Sequence, residues 1–171
     1  MTAQDVTTVA HLNLERYLGL WYEIGRLPLK YEEDGARDVT AEYSLDEDGS
    51  IRVDNRCIGE DGKPTQALGR AKPVDDADPT RLTVSFLPKY LRWIPFTEGD
   101  YWVLKLDEGY TAALVGTPDR SNLWLLARAP HIDACTEQDY LDEARRQGFD
   151  LTDWIRPDQS GSRVTDDMID D

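Results

Sequence analysis

The chain has 171 residues, with 34 acidic against 19 basic side chains, a formal net charge of −15 and a pI near 4.4. That length suits one domain with a sizeable core. So acidic a protein lacks the basic stripe that phosphate backbones require, which excludes nucleic acid as the expected partner, and its charge opposes any general attraction to anionic membranes. Asp outnumbers Glu and Arg outnumbers Lys, a bias that suits either a salt-rich cell interior or GC-rich codon usage. No stretch is long and apolar enough for a transmembrane helix. The opening MTAQDVTTVAHLN has neither the basic n-region nor the apolar h-region of a signal peptide. The expected location is cytoplasmic, with or without membrane association; outer membrane or periplasm is the alternative if a leader has been removed. Cys57 and Cys135 give no disulfide framework and are expected as unbridged thiols.

Residues 1–11 are expected to be unstructured, and Leu12–Leu18 to form one helical or 3₁₀ turn plugging a barrel end. Gly19, just ahead of Trp21, suggests close backbone approach beside a large buried ring. The first strand runs Trp21–Arg26 and ends before Pro28, which cannot donate to a ladder. A long loop, Leu27–Asp38, suits a barrel mouth. Seven more alternating strands follow with turn residues between them: Val39–Leu45, Ile51–Ile58, about Gln66–Pro73, Arg81–Leu87, Asp100–Leu106, Tyr110–Gly116 and Leu123–Arg128. The connection Pro88–Gly99 is unusually apolar for a turn. After Pro130 the period changes: Tyr140, Leu141 and Ala144 share one stripe of a helix over Glu137–Gln147, with Gly148 as its C-cap. Leu151–Ile155 is read as a short ninth strand, and residues 157–171, polar and acidic, as a disordered tail. The pattern predicts an all-β, eight-stranded antiparallel up-and-down barrel over residues 12–156, with one C-terminal α-helix on its wall. Such a barrel is just wide enough for one small ligand.

Gly19-Leu20-Trp21, Thr117-Pro118-Asp119-Arg120 and Arg128 stand in the order and at the spacing of the three short lipocalin signatures. The chain therefore resembles the lipocalin family. YLGLWYEIGRLP, GDYWVLKLDEGYTAALVGTPDRSNLWLLARAP and GFDLTDWI are similar to the branch holding bacterial outer-membrane lipocalins, apolipoprotein D and plant temperature-induced lipocalins. The sequence as it stands shows no lipoprotein leader with a lipidated cysteine and does not obviously reproduce the disulfides of apolipoprotein D, so the arrangement is expected to be closer to that of the plant members. The resemblance implies non-catalytic binding and transport or storage of a small hydrophobic or amphipathic ligand, such as a fatty acid or lysophospholipid, in the barrel's calyx.

Alternation and the resemblance together place Ala41, Tyr43, Val53, Asn55, Ala67, Gly69, Val84, Phe86, Tyr101, Val103, Trp124 and Leu126 on the inner face as ligand-binding candidates. Small residues there leave room for a ligand; the competing reading is a solid barrel. Glu23, Asn55 and Lys105 are the polar inward candidates, with Glu23 and Lys105 able to pair inside, to meet a head group, or to sit at a wet end. Gly19, Trp21, Thr117, Asp119 and Arg128 are read as structural, with the Arg128 cation closing the narrow end over Trp21. Leu91, Trp93, Ile94 and Phe96, flanked by Lys89 and Arg92, are read either as a membrane-docking loop, as the plant members imply, or as a lid on the mouth.

No catalytic residue, cofactor or metal site is expected. His11 and His131 have no ligand partner at zinc spacing, and hydrolase, phosphate-loop and metalloprotease motifs are missing. A lipocalin-type isomerase using Cys57 is the less favoured alternative, because a small buried filler explains that residue as well. A monomer or homodimer is expected.

Overall fold

The computed structural model describes residues 5–28, 34–86 and 98–169. Eight antiparallel strands follow one another round a closed barrel: β1 Gly19–Arg26, β2 Arg37–Leu45, β3 Ile51–Ile58, β4 Pro64–Asp75, β5 Asp78–Phe86, β6 Glu98–Leu106, β7 Ala112–Gly116 and β8 Leu123–Ala127. Closure falls to β1, which pairs with β2 through Gly19–Tyr22 and with β8 through Tyr22–Arg26. Closure pairs most of the strand backbone within the sheet. Among the described residues three helices accompany it: α1 Leu14–Tyr17, α2 Ala134–Arg146 and α3 Asp166–Ile169.

Strand alternation sorts the apolar residues into two cores. Tyr43, Val53, Val84, Val103, Val115 and Leu126 fill the inside, joined by Leu12 and Tyr17 from the plug. Their neighbours Leu104, Leu114 and Leu125 face outward, where Tyr140 and Ala144 of α2 cover them. Strands β7 and β8 are therefore apolar on both faces. Asp133 caps α2 by accepting from Thr136 N at 2.7 Å, so the helix starts at Ala134, ahead of its apolar stripe. At its other end Arg120 Nε donates to Gln147 O at 2.7 Å, tying the helix to the β7–β8 turn. Within that turn Thr117 Oγ1 donates to Asp119, which also accepts from Ser121 N. These bonds hold the Asp119 carboxyl below its ordinary range.

Strand β7 starts two residues later than the sequence suggests. Asp107 Oδ1 accepts from Thr111 N and Ala112 N, so a side chain takes up these backbone donors at the turn, and Tyr110 turns with φ +56°. The expected ninth strand is a single bridge between Arg26 and Ile155.

Both flanking segments make contacts that composition does not reveal. Val6 is buried, Thr7 exchanges two hydrogen bonds with the Gln147 side chain, and Val9 N donates to Val103 O. Residues 157–166, expected to be disordered, cross the outside of the barrel, with Val164 buried and Arg56 donating to Val164 O and Asp166. These attachments run mainly through backbone groups and polar side chains, which a count of apolar residues does not weigh.

The narrow end is held by Arg128. Its guanidinium lies 3.8 Å from the Trp21 ring centre and donates to the carbonyls of Arg16, Tyr17, Leu20 and Tyr110. Trp21 is fully buried and donates from Nε1 to Tyr17 O. Gly19 has φ +106°, and a Cβ there would sit 3.2 Å from an Arg128 terminal nitrogen, so backbone conformation and proximity both favour glycine. One cation thus ties plug, β1, the β6–β7 turn and β8 together. Arg128→Ala and Trp21→Ala are each expected to destabilise the fold by about 2–4 kcal/mol. Arg128→Lys should recover little of that loss, because an ammonium cannot reproduce the planar fork. Denaturant midpoints of the three variants check this.

Candidate functional site in the barrel interior

Residues paired directly across an antiparallel ladder share a face, so register identifies the inner wall. One row runs Trp21, Ala41, Asn55, Ala67; the next runs Gly19, Tyr43, Val53, Gly69, Phe86. Ala41, Tyr43, Val53, Val84, Phe86, Tyr101, Val103, Trp124 and Leu126 lie in or against the inner core, and Asn55, Ala67 and Gly69 reach that face by pairing. Gly69 does not leave the open space its size suggests. A Cβ there would meet the Phe86 ring at 3.1 Å and Ser85 O at 2.8 Å, so the missing side chain is replaced by the neighbouring ring.

The half of the barrel nearest α1 is packed. Tyr17 and Tyr43 stack with centroids 5.9 Å apart, and Tyr101 meets Tyr43 edge-on at 5.8 Å. Their hydroxyls form a chain, with Tyr101 donating to Tyr43 at 2.9 Å and lying 2.6 Å from Tyr17 Oη. The cavity beside them, lined by Leu14, Leu18, Ile51 and Val84 among others, has about 10 Å³, on the order of what a single water needs. Toward the opposite end the strand geometry differs.

There β1 changes phase. An irregularity between Glu23 and Gly25 lets Glu23 pair with Leu126 and Arg26 with Trp124, so both charged residues fall opposite inward-facing partners. Arg26 Nη1 lies 3.4 Å from Glu23 Oε2, and their side chains are 0 % and 5 % exposed. Strict alternation found Glu23 and missed Arg26, because it assigns positions 23 and 26 to opposite faces. The readable signal was Gly25 inside a strand, a mark of a bulge. A second irregularity, between Val103 and Lys105, corrects the expected Glu23–Lys105 pairing. Lys105 pairs with the outward Leu114, and its ammonium lies 3.4 Å from Asp139 and 5.1 Å from the Tyr140 ring centre, on the wall beneath α2.

The remaining candidates stand apart. Cys57 Sγ is 3.1 Å from Thr65 Oγ1, and neither Cys57 nor Cys135 is in a disulfide. His11 and His131 are exposed, and the described residues contain no cluster fit for a metal ion. Leu91, Trp93, Ile94 and Phe96, with Lys89 and Arg92, lie outside the described residues.

Burial pushes the Tyr17, Tyr43 and Tyr101 hydroxyls above their ordinary range, and the Glu23 carboxylate adds to this at Tyr43. A raised native value means stability intact below the unfolded value, about pH 10, and lost as pH rises from there through the native values. Between pH 9 and 11.5 the urea midpoint should fall, and fall less steeply in Tyr43→Phe, which keeps the ring and removes one of these ionisations. Urea melts followed with tyrosinate absorbance at 295 nm measure both.

The comparisons agree with this architecture. A family profile described as a lipocalin-like domain matches residues 12–159. Temperature-induced lipocalin-1 of Arabidopsis thaliana is 37% identical over 159 residues, covering 92% of this chain and 84% of its own. Outer membrane lipoprotein Blc of Escherichia coli (strain K12) is 39% identical over 160 residues, covering 93% and 86%. Among solved structures, apocrustacyanin C1 superposes with a TM-score of 0.71 at 16% identity, covering 92% of this chain and 85% of its own, a likeness of fold. The expected cytoplasmic location gains no support: the Blc proteins are named for the outer membrane, and no described helix is long and apolar enough to cross a bilayer. With the family profile spanning most of the chain, the relatives sharing more than a third of their residues and the barrel closed by the Gly19–Trp21–Arg128 contact, this chain belongs to the lipocalin family, whose members in general bind small hydrophobic molecules without catalysis.

Proposed function

We propose that the barrel carries a single-chain amphiphile, a lysophospholipid or fatty acid, with its acyl chain against Phe86, Val103, Trp124 and Leu126 and its head at the level of Glu23 and Arg26. The observation that supports this reading best is the ion pair on an otherwise largely apolar inner wall. Below it the tyrosines leave almost no space, so chain length is bounded at that end. Each methylene moved out of water contributes about 0.8 kcal/mol, so a long chain supplies ~10 kcal/mol before the cost of association. That is ample for binding without catalysis.

The charges favour one class over the other. Glu23 and Arg26 together carry no net charge, so a zwitterionic head finds a partner for each of its ends. A fatty acid carboxylate finds Arg26 already facing Glu23. Separating two buried opposite charges has a large cost unless a new ion replaces the old one.

Lysophosphatidylcholine should therefore bind about tenfold more tightly than the free fatty acid of equal chain length at neutral pH, a difference of roughly 1.4 kcal/mol. Titration of each lipid, followed by tryptophan fluorescence, should report quenching that Trp124→Phe reduces, and Trp124→Ala should weaken binding. Native mass spectrometry of the purified protein should show retained lipid. Fluorescence unmoved by either lipid, together with no retained lipid, would remove the carrier reading.

A further inference from the structure

The same bulge that turns Arg26 inward leaves a gap in the barrel wall. The β1–β2 ladder ends at Tyr22 and Thr40. Beyond it β1 goes on with β8, while β2 has its own irregularity between Arg37 and Thr40, with Asp38 at φ +52°. Residues 23–26 and 37–39 thus flank each other without ladder pairs between them, beside the Glu23–Arg26 ion pair.

The chain after α2 fills that seam. Ile155 exchanges two backbone bonds with Arg26, at 2.9 and 2.8 Å. Asp38 N donates to Asp158 O at 2.8 Å, and the Asp38 carboxylate accepts from Ser160 N and Oγ. Between these, the Gln159 amide nitrogen donates at 2.9 Å to Glu23 O on β1 and at 2.9 Å to Val39 O on β2. Its two hydrogens are thus divided between the two strands, a role that a carboxylate cannot fill and that asparagine is one carbon too short to reach from the same backbone.

We propose that residues 155–166 are a releasable strap over a lateral port in the β1–β2 wall, with Gln159 as the residue that holds it shut. Given the lipid reading above, the head group at Glu23 and Arg26 enters and leaves through this port. The strap is built to open before the barrel does. Its attachments are hydrogen bonds more than packed side chains, with Pro157 and Val164 its buried residues between positions 157 and 169, and the buried Gln159 Oε1 has no hydrogen-bond partner among the described residues. Segments held this way open at lower free energy than the strands they cover. The far end is anchored where Arg56, fixed by the buried Asp54, donates to Val164 O and Asp166.

The test uses the full chain as wild type, Gln159→Glu and the milder Gln159→Asn. Hydrogen–deuterium exchange should quicken at the amides of residues 26 and 38 by about tenfold or more, while β3–β5 keep wild-type rates. Stopped-flow binding of palmitoyl lysophosphatidylcholine should show association and dissociation accelerated together, with Kd little changed, as expected when a gate rather than a contact is altered. Unchanged seam exchange in both variants overturns the strap, and so does uniformly faster exchange throughout the barrel. Faster dissociation with unchanged association overturns the port and makes Gln159 a ligand contact. Wild type that binds neither this probe nor palmitate removes the lipid reading and the port with it, while the exchange result still decides whether Gln159 closes the seam.

Discussion

One irregularity in β1, between Glu23 and Gly25, governs the upper half of this barrel. Ahead of it the strand points Trp21 inward and pairs with β2; behind it the strand points Arg26 inward and pairs with β8. Without the extra residue Arg26 would face outward, away from the buried Glu23 carboxylate that it meets on the inner wall. The phase change also turns Gly25 toward Trp154, where an added Cβ would fall 2.3 Å from the indole ring. The bulge therefore fixes three things together: the ion pair, the docking of the chain after α2, and the ladder's early end beside β2.

The two ends of the barrel differ in what fills them. At the α1 end, Arg128, Trp21 and the three tyrosines pack the interior to the scale of one water. Arg128 meets four backbone carbonyls there, so a cation that would otherwise be half-buried at a cost is satisfied by groups the closing turns leave over. That rigidity gives the other end a fixed floor. The charged pair, the indole of Trp124 and the ring of Phe86 then sit on walls whose register is set from below.

Much of this was legible in the sequence, because alternation with period two and turn residues are local signals. All eight strands, the plug, the helix and the Gly19–Trp21–Arg128 closure followed from them. What escaped were the phase changes. Lys105 was placed inside and Arg26 overlooked for one reason: each lies just past an irregularity that shifts the count by a residue. Gly25 was a visible mark of the first, but nothing local marks the second. Gly69 was misjudged differently, since a small residue makes room only when no neighbouring ring moves in, and the neighbour, Phe86, is distant in sequence. Residues 157–171 were read as disordered because the hold of this stretch on the barrel is polar and depends on acceptors from strands far earlier in the chain.

On the proposed reading, an acyl chain lies in the barrel between the ion pair and the tyrosine floor. A palmitoyl lysophospholipid carrying a photoreactive diazirine at the end of its chain tests it directly. Irradiation of the complex, followed by peptide mapping, should place the label on Tyr43, Val84, Phe86 or Tyr101, the residues around that floor. Label confined to the outer wall beneath α2, at Trp102, Leu151 or Trp154, would contradict it.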